Sequence, residues 1–110
     1  MEKITWNEAC KEIAEEIVDL LISKQRDYGK SNILDFGEYG ILVRSNDKIA
    51  RLKNLSQKGI NPANESIDDT WKDISGYAII ALMLRRDLFS LPFESNHETV
   101  KLSDNLRRDK

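Results

Sequence analysis

Residues Ile74 to Leu84 read Ile-Ser-Gly-Tyr-Ala-Ile-Ile-Ala-Leu-Met-Leu, apolar on almost every side of a helix. Such a segment cannot lie along a surface and has to be enclosed by other elements. Those elements are helices, because Ile41-Leu42-Val43 is the one β-like run and is too short to found a sheet. The spacing predicts a first helix from about Thr5 to Asp27. Thr5 and Glu8 make a capping box at its start, and Cys10, Ile13, Ile17, Leu20 and Leu21 share one stripe. Gly29 suits a left-handed C-cap. Residues 30 to 40 read as a loop, and a second helix runs from Gly40 or Ile41 to Leu55. Ser56 to Ala63, with Gly59 and Asn61-Pro62, is a connector. A third helix starts at Asn64 or Glu65, continues to about Leu88 and is stopped by Leu91-Pro92. The expectation is an all-α bundle of three main helices over residues 1–90, completed by oligomerisation. A polar tail over 91–110, a short helix or disordered, follows it.

Composition removes several function classes. A chain of 110 residues supports one modest core and no second domain. Lys plus Arg number 17 against 19 Asp plus Glu, a balance that does not suit a duplex nucleic-acid binder. Cys10 and His97 are each the sole residue of their type, too few for an intrachain disulfide or a zinc site. The apolar run Tyr77–Leu84 is far below the roughly 20 residues that span a bilayer, and the first residues lack a signal-peptide stretch. These features predict a reduced, soluble, cytoplasmic protein with no membrane partner.

The information about function lies in polar residues on faces the pattern marks as buried. At 100° per residue, Lys24 falls within about 20° of Ile13, in the centre of the first stripe, and Asp27 and Tyr28 fall on its shoulders. On the second helix Arg44, Lys48, Arg51 and Leu55 form one ridge, with Lys48 close to the stripe of Ile41 and Leu52. Asp47 is placed to pair with Arg51, and a salt-bridged surface accounts for that helix taken alone. On the third helix Glu65, Asp69 and Asp73 make a carboxylate strip collinear with Tyr77, Ile80 and Leu84, so the strip is expected to point inward. Inward acids need a partner: the cations of the second helix as ion pairs, or a hard divalent cation held by oxygen ligands. Acids and several cations in one pocket suit a nucleotide phosphate. Tyr28, Phe36, Tyr39 and Trp71 are available for base stacking, Trp71 being more usual as core. Gly29-Lys30-Ser31 lacks the upstream glycine and the strand of a phosphate-binding P-loop.

Three blocks carry a family resemblance. Lys24-x-x-Asp27-Tyr28-Gly29, Arg44-x-x-Asp47-Lys48-x-x-Arg51-Leu52 and Glu65-Ser66-x-x-Asp69-Thr70-x-x-Asp73-x-x-x-Tyr77 resemble the nucleotide modification associated domain 1 family, found in phage and bacterial proteins. That family is similar to the all-α nucleoside triphosphate pyrophosphatases of the MazG and dimeric dUTPase type. The resemblance implies a homodimeric or homotetrameric bundle in a bacterial cell or phage-infected host, holding Mg²⁺, or Mn²⁺, against nucleotide phosphates. It implies Asp69, Asp73 and Glu65 as catalytic acids and, with Asp47, as metal ligands. Lys24, Asp27, Tyr28, Arg44, Lys48, Arg51 and Tyr77 would bind substrate. The activity implied is hydrolysis of a nucleoside triphosphate, or a related nucleotide, to a monophosphate and pyrophosphate. The alternative on the same fold is a protein that binds or sequesters a nucleotide or nucleotide-derived signal without hydrolysing it. MazG-like enzymes carry a Glu-Glu-x-x-Glu helix, whereas Glu12, Glu15 and Glu16 here lie mostly off the inward stripe.

Overall fold

The computed structural model describes residues 3–58 and 67–94, which form three helices: α1 (Trp6–Tyr28), α2 (Ser31–Lys58) and α3 (Ile67–Arg85). No strand occurs among the described residues. Residues 56–58, expected in the connector, extend α2, while the rest of the connector to Ala63, the start of the third helix at Asn64 or Glu65, and all of the 91–110 tail beyond residue 94 lie outside the described residues.

α1 begins as its sequence dictates. The Thr5 hydroxyl accepts from the Glu8 amide at 3.1 Å, and the Glu8 carboxylate accepts from the Thr5 amide at 3.4 Å. At the other end Gly29 has φ 77° and ψ 173°, an extended positive-φ conformation rather than the left-handed helical cap its sequence suggests. α2 departs further from expectation. It starts at Ser31 instead of near Gly40, and the break expected of a whole loop is concentrated in one residue, Gly37, at φ 61° and ψ −154°. Gly40 stays helical, so one glycine was enough to redirect the chain. The early start brings Ile33 into the core.

α3 packs mainly against α2 and more sparsely against α1, and α1 and α2 do not pack on each other. The core therefore sits on the α2–α3 side. Ile33, Ile41, Ile80 and Phe89 are buried there, with Leu21, Tyr77, Ala81, Met83 and Leu84 packed against them. α3 ends three residues before the expected Leu88. Its last turn closes in a Schellman pattern: Leu88 N–H donates to the Met83 carbonyl at 2.8 Å, Asp87 N–H donates to Leu84 at 3.3 Å, and Asp87 sits at φ 55°. The chain then folds back over α1. Arg26 and Lys30 flank the Phe93 ring at 5.4 and 4.5 Å from its centre, Arg26 donates to the Glu94 carbonyl at 3.0 Å, and Lys30 donates to the Leu91 carbonyl.

Enclosure of the apolar helix is incomplete within one chain. Ile80 is 1% exposed, but Leu82 remains 49% exposed. α1 contains no buried residue, and its stripe residues Cys10 and Ile13 are exposed. Trp71, which the pattern favoured as core, is also exposed.

Gly37 generates a stability prediction. Its φ and ψ lie in a region reserved for glycine, and a Cβ there would meet nothing within 4 Å, so strain would come from the backbone alone. Gly37→Ala should lower unfolding free energy by about 1–3 kcal/mol in urea denaturation. An unchanged midpoint would mean that α2 runs through without the kink.

Candidate functional site

Because the backbones of α1 and α2 approach α3 but stand apart from each other, a cleft opens between them with α3 as its floor. The cavity holds about 430 Å³, within the rough 300–1,000 Å³ range of small-molecule sites. α1 contributes Lys24, Gln25 and Tyr28, α2 contributes Asn32, Arg44 and Lys48, and α3 contributes Lys72, Asp73 and Tyr77. Ile17, Leu20, Leu21, Ile33 and Ile80 supply an apolar wall.

Asp73 is the centre of this arrangement. Its Oδ1 accepts from Lys24 Nζ at 2.7 Å, and its Oδ2 lies 3.0 Å from Lys48 Nζ. The carboxylate side chain is 15% exposed, so both oxygens are committed in a partly dry setting. Burial pushes the Asp73 pKa upward, but the hydrogen bonds and charges of Lys24 and Lys48 outweigh it and leave the pKa below the ordinary value. Lys72 turns to the rim, where Glu16 lies 2.6 Å from its Nζ; that hydrogen bond raises the Lys72 pKa despite some desolvation. Arg44 is half-buried, and no described carboxylate pairs with it. Among the described residues four cations and one carboxylate line the cleft, beside its apolar wall.

Of the residues singled out by sequence, the cleft gathers Lys24, Tyr28, Arg44, Lys48, Asp73 and Tyr77. Arg51, Asp27, Asp47 and Asp69 do not line it, and the latter three are exposed. The carboxylate strip thus turns inward at Asp73 but not at Asp69, because the covered face at that end of α3 is centred on Thr70, 0% exposed, and Asp69 falls beside it. Glu65 lies outside the described residues. Phe36, Tyr39 and Trp71 are exposed and do not line the cleft, which leaves Tyr28 and Tyr77 as its aromatic surfaces. Among the described residues no three acids, histidines or cysteines are grouped as a metal ion requires, and both Asp73 oxygens already face ammonium groups. Lys72, Gln25 and Asn32 were missed. Lys72 could have been found from its place beside Asp73, whereas Asn32 was hidden by reading its helix as a loop.

The sequence profile of the nucleotide modification associated domain 1 family matches residues 24–84, more than half of the chain. No curated protein and no solved structure matches it.

The Asp73 ion pairs predict an acid-linked stability term. A carboxylate whose folded pKa lies below its unfolded value stabilises the fold above the unfolded pKa and loses that contribution as pH falls through the folded one. Asp73→Asn should be less stable than wild type at pH 7, and the gap should close as pH falls below about 4. Urea midpoints of both proteins across that range check it; a gap independent of pH would contradict the double pairing.

Proposed function

The chain belongs to the nucleotide modification associated domain 1 family, and from that premise and the cleft we propose that it binds a nucleotide through its phosphates. The observation that carries this reading is Arg44, a half-buried guanidinium in the cleft with no described carboxylate beside it. A guanidinium offers paired donors that fit phosphate oxygens, and burying it without a counter-charge is unfavourable. Lys24 and Lys48 add two positive charges against the single carboxylate of Asp73. The apolar wall and the two tyrosines give the rest of the ligand a surface on which a base can lie. Binding of this kind needs no metal.

A second reading follows from Asp69 and Asp73, one helical turn apart on α3. With Glu65 and Asp47, they are the acids that would hold Mg²⁺ or Mn²⁺ in a MazG-like pyrophosphohydrolase. Such a metal would polarise the phosphates and activate water. In either case we read the protein as a homodimer or homotetramer in the cytoplasm, acting on small molecules rather than duplex nucleic acid. Support for self-association comes from α1, where Trp6, Ile13, Val18 and Ile22 are exposed along a helix with no buried residue. No described helix is long and apolar enough to cross a membrane.

Equilibrium dialysis against nucleosides and their mono-, di- and triphosphates, with and without Mg²⁺ or Mn²⁺, tests both readings. Binding should require phosphate and should weaken more than tenfold in Arg44→Ala, as expected when a desolvated charge contact is lost. Recovery of intact nucleotide after denaturation supports binding alone, while metal-dependent release of monophosphate and pyrophosphate supports the hydrolase. Equal affinity for nucleosides and nucleotides would remove the phosphate reading.

A further inference from the structure

The cleft already contains an anion. Asp73 reaches up from its floor and holds Lys24 of α1 with one oxygen and Lys48 of α2 with the other, at 2.7 and 3.0 Å. Those two helices do not pack against each other, so the carboxylate bridges the cleft where an entering phosphate would meet the same two ammonium groups. We propose that Asp73 is the resident counter-ion of the site, standing in the place of the ligand's anionic group, and that phosphate enters by displacing it from Lys24 and Lys48. The inference rests on the phosphate reading above and adds how that site is filled.

Three physical points carry it. Two negative groups a few ångströms apart in a half-dry cleft repel, so the carboxylate and a phosphate compete for the same pair of lysines. Lysine ammonium groups ride on flexible stems and can exchange partners without backbone movement. Arg44 lines the same cleft with no described carboxylate to leave, so it can take the incoming anion first. Displacement also selects the ligand. A monoanion exchanges one negative charge for another and gains little, whereas a phosphate dianion or a polyphosphate gains charge at each exchange. The site should therefore take polyphosphates in preference to carboxylates. Asp73 is on this account a positioning residue, holding the two ammonium groups over the cleft while it is empty.

The test is calorimetric titration of the full chain with inorganic tripolyphosphate in buffer containing a chelator. Asp73→Asn keeps the size and one acceptor of the side chain but removes the competing charge, so it should bind about tenfold more tightly than wild type. Equal or weaker binding by the variant, with wild type still binding, overturns displacement and leaves the phosphate reading intact. Absence of binding by both proteins overturns the phosphate reading itself. Should the variant not fold, a crystal structure of wild type with tripolyphosphate decides. Displacement requires Lys24 and Lys48 on phosphate oxygens and the Asp73 carboxylate more than about 4 Å from both ammonium groups, beyond ion-pair range. Lysines still paired to Asp73 in that structure overturn it.

Discussion

One carboxylate ties the three helices together. α1 and α2 each lean on α3 and leave a gap between them, and Asp73 closes that gap electrostatically by holding a lysine from each side. Apolar packing holds α2 to α3 through Ile33, Ile41 and Ile80, but α1 has no buried residue. The position of α1 therefore depends on a few side contacts: Leu21 against the core, Lys72 with Glu16, the fold-back of residues 86–94, and the Lys24–Asp73 pair. A bond that sets the width of a cleft and also supplies its charge couples stability to binding. Weakening it loosens α1 and removes the carboxylate from both ammonium groups at the same time.

This explains why the site reads more clearly in the sequence than the fold around it. Lys24, Lys48 and Asp73 were conspicuous because each breaks an apolar stripe, and a charge on such a stripe must find a partner wherever the helices meet. That requirement survives errors in helix boundaries. α2 began about nine residues earlier than its glycine content suggested, yet Arg44 and Lys48 kept their register because they lie beyond Gly37. What the stripe could not give was depth. Asp69 and Asp73 share one face by spacing, but the buried face of α3 runs through Thr70, Gly76 and Ile80, and of the two acids only Asp73 lines the cleft. Periodicity assigns a face, and the neighbours decide how much of that face is buried.

The same limit governs α1. Its stripe of Cys10, Ile13 and Ile17 is genuine as a pattern, but within one chain Cys10 and Ile13 meet water. An amphipathic helix keeps its stripe for whatever surface covers it, and the N-terminal end of this stripe, at Cys10 and Ile13, is left uncovered. Leu82 and Trp71 are exposed on α3 as well, so the apolar surface left open is not confined to one helix.

The identity of the counter-charges separates the two chemistries that a carboxylate in such a cleft can serve. A hard divalent cation needs several oxygen ligands and disfavours ammonium groups close by, because like charges repel. A phosphate needs the ammonium groups and disfavours free carboxylates for the same reason. Among the described residues the cleft has four cations and one acid, and both oxygens of that acid face cations. In the absence of ligand, that acid offsets the charge of Lys24 and Lys48 in a partly buried space. An anion brought in from outside can take over its work, and the more charge that anion carries, the more completely it does so.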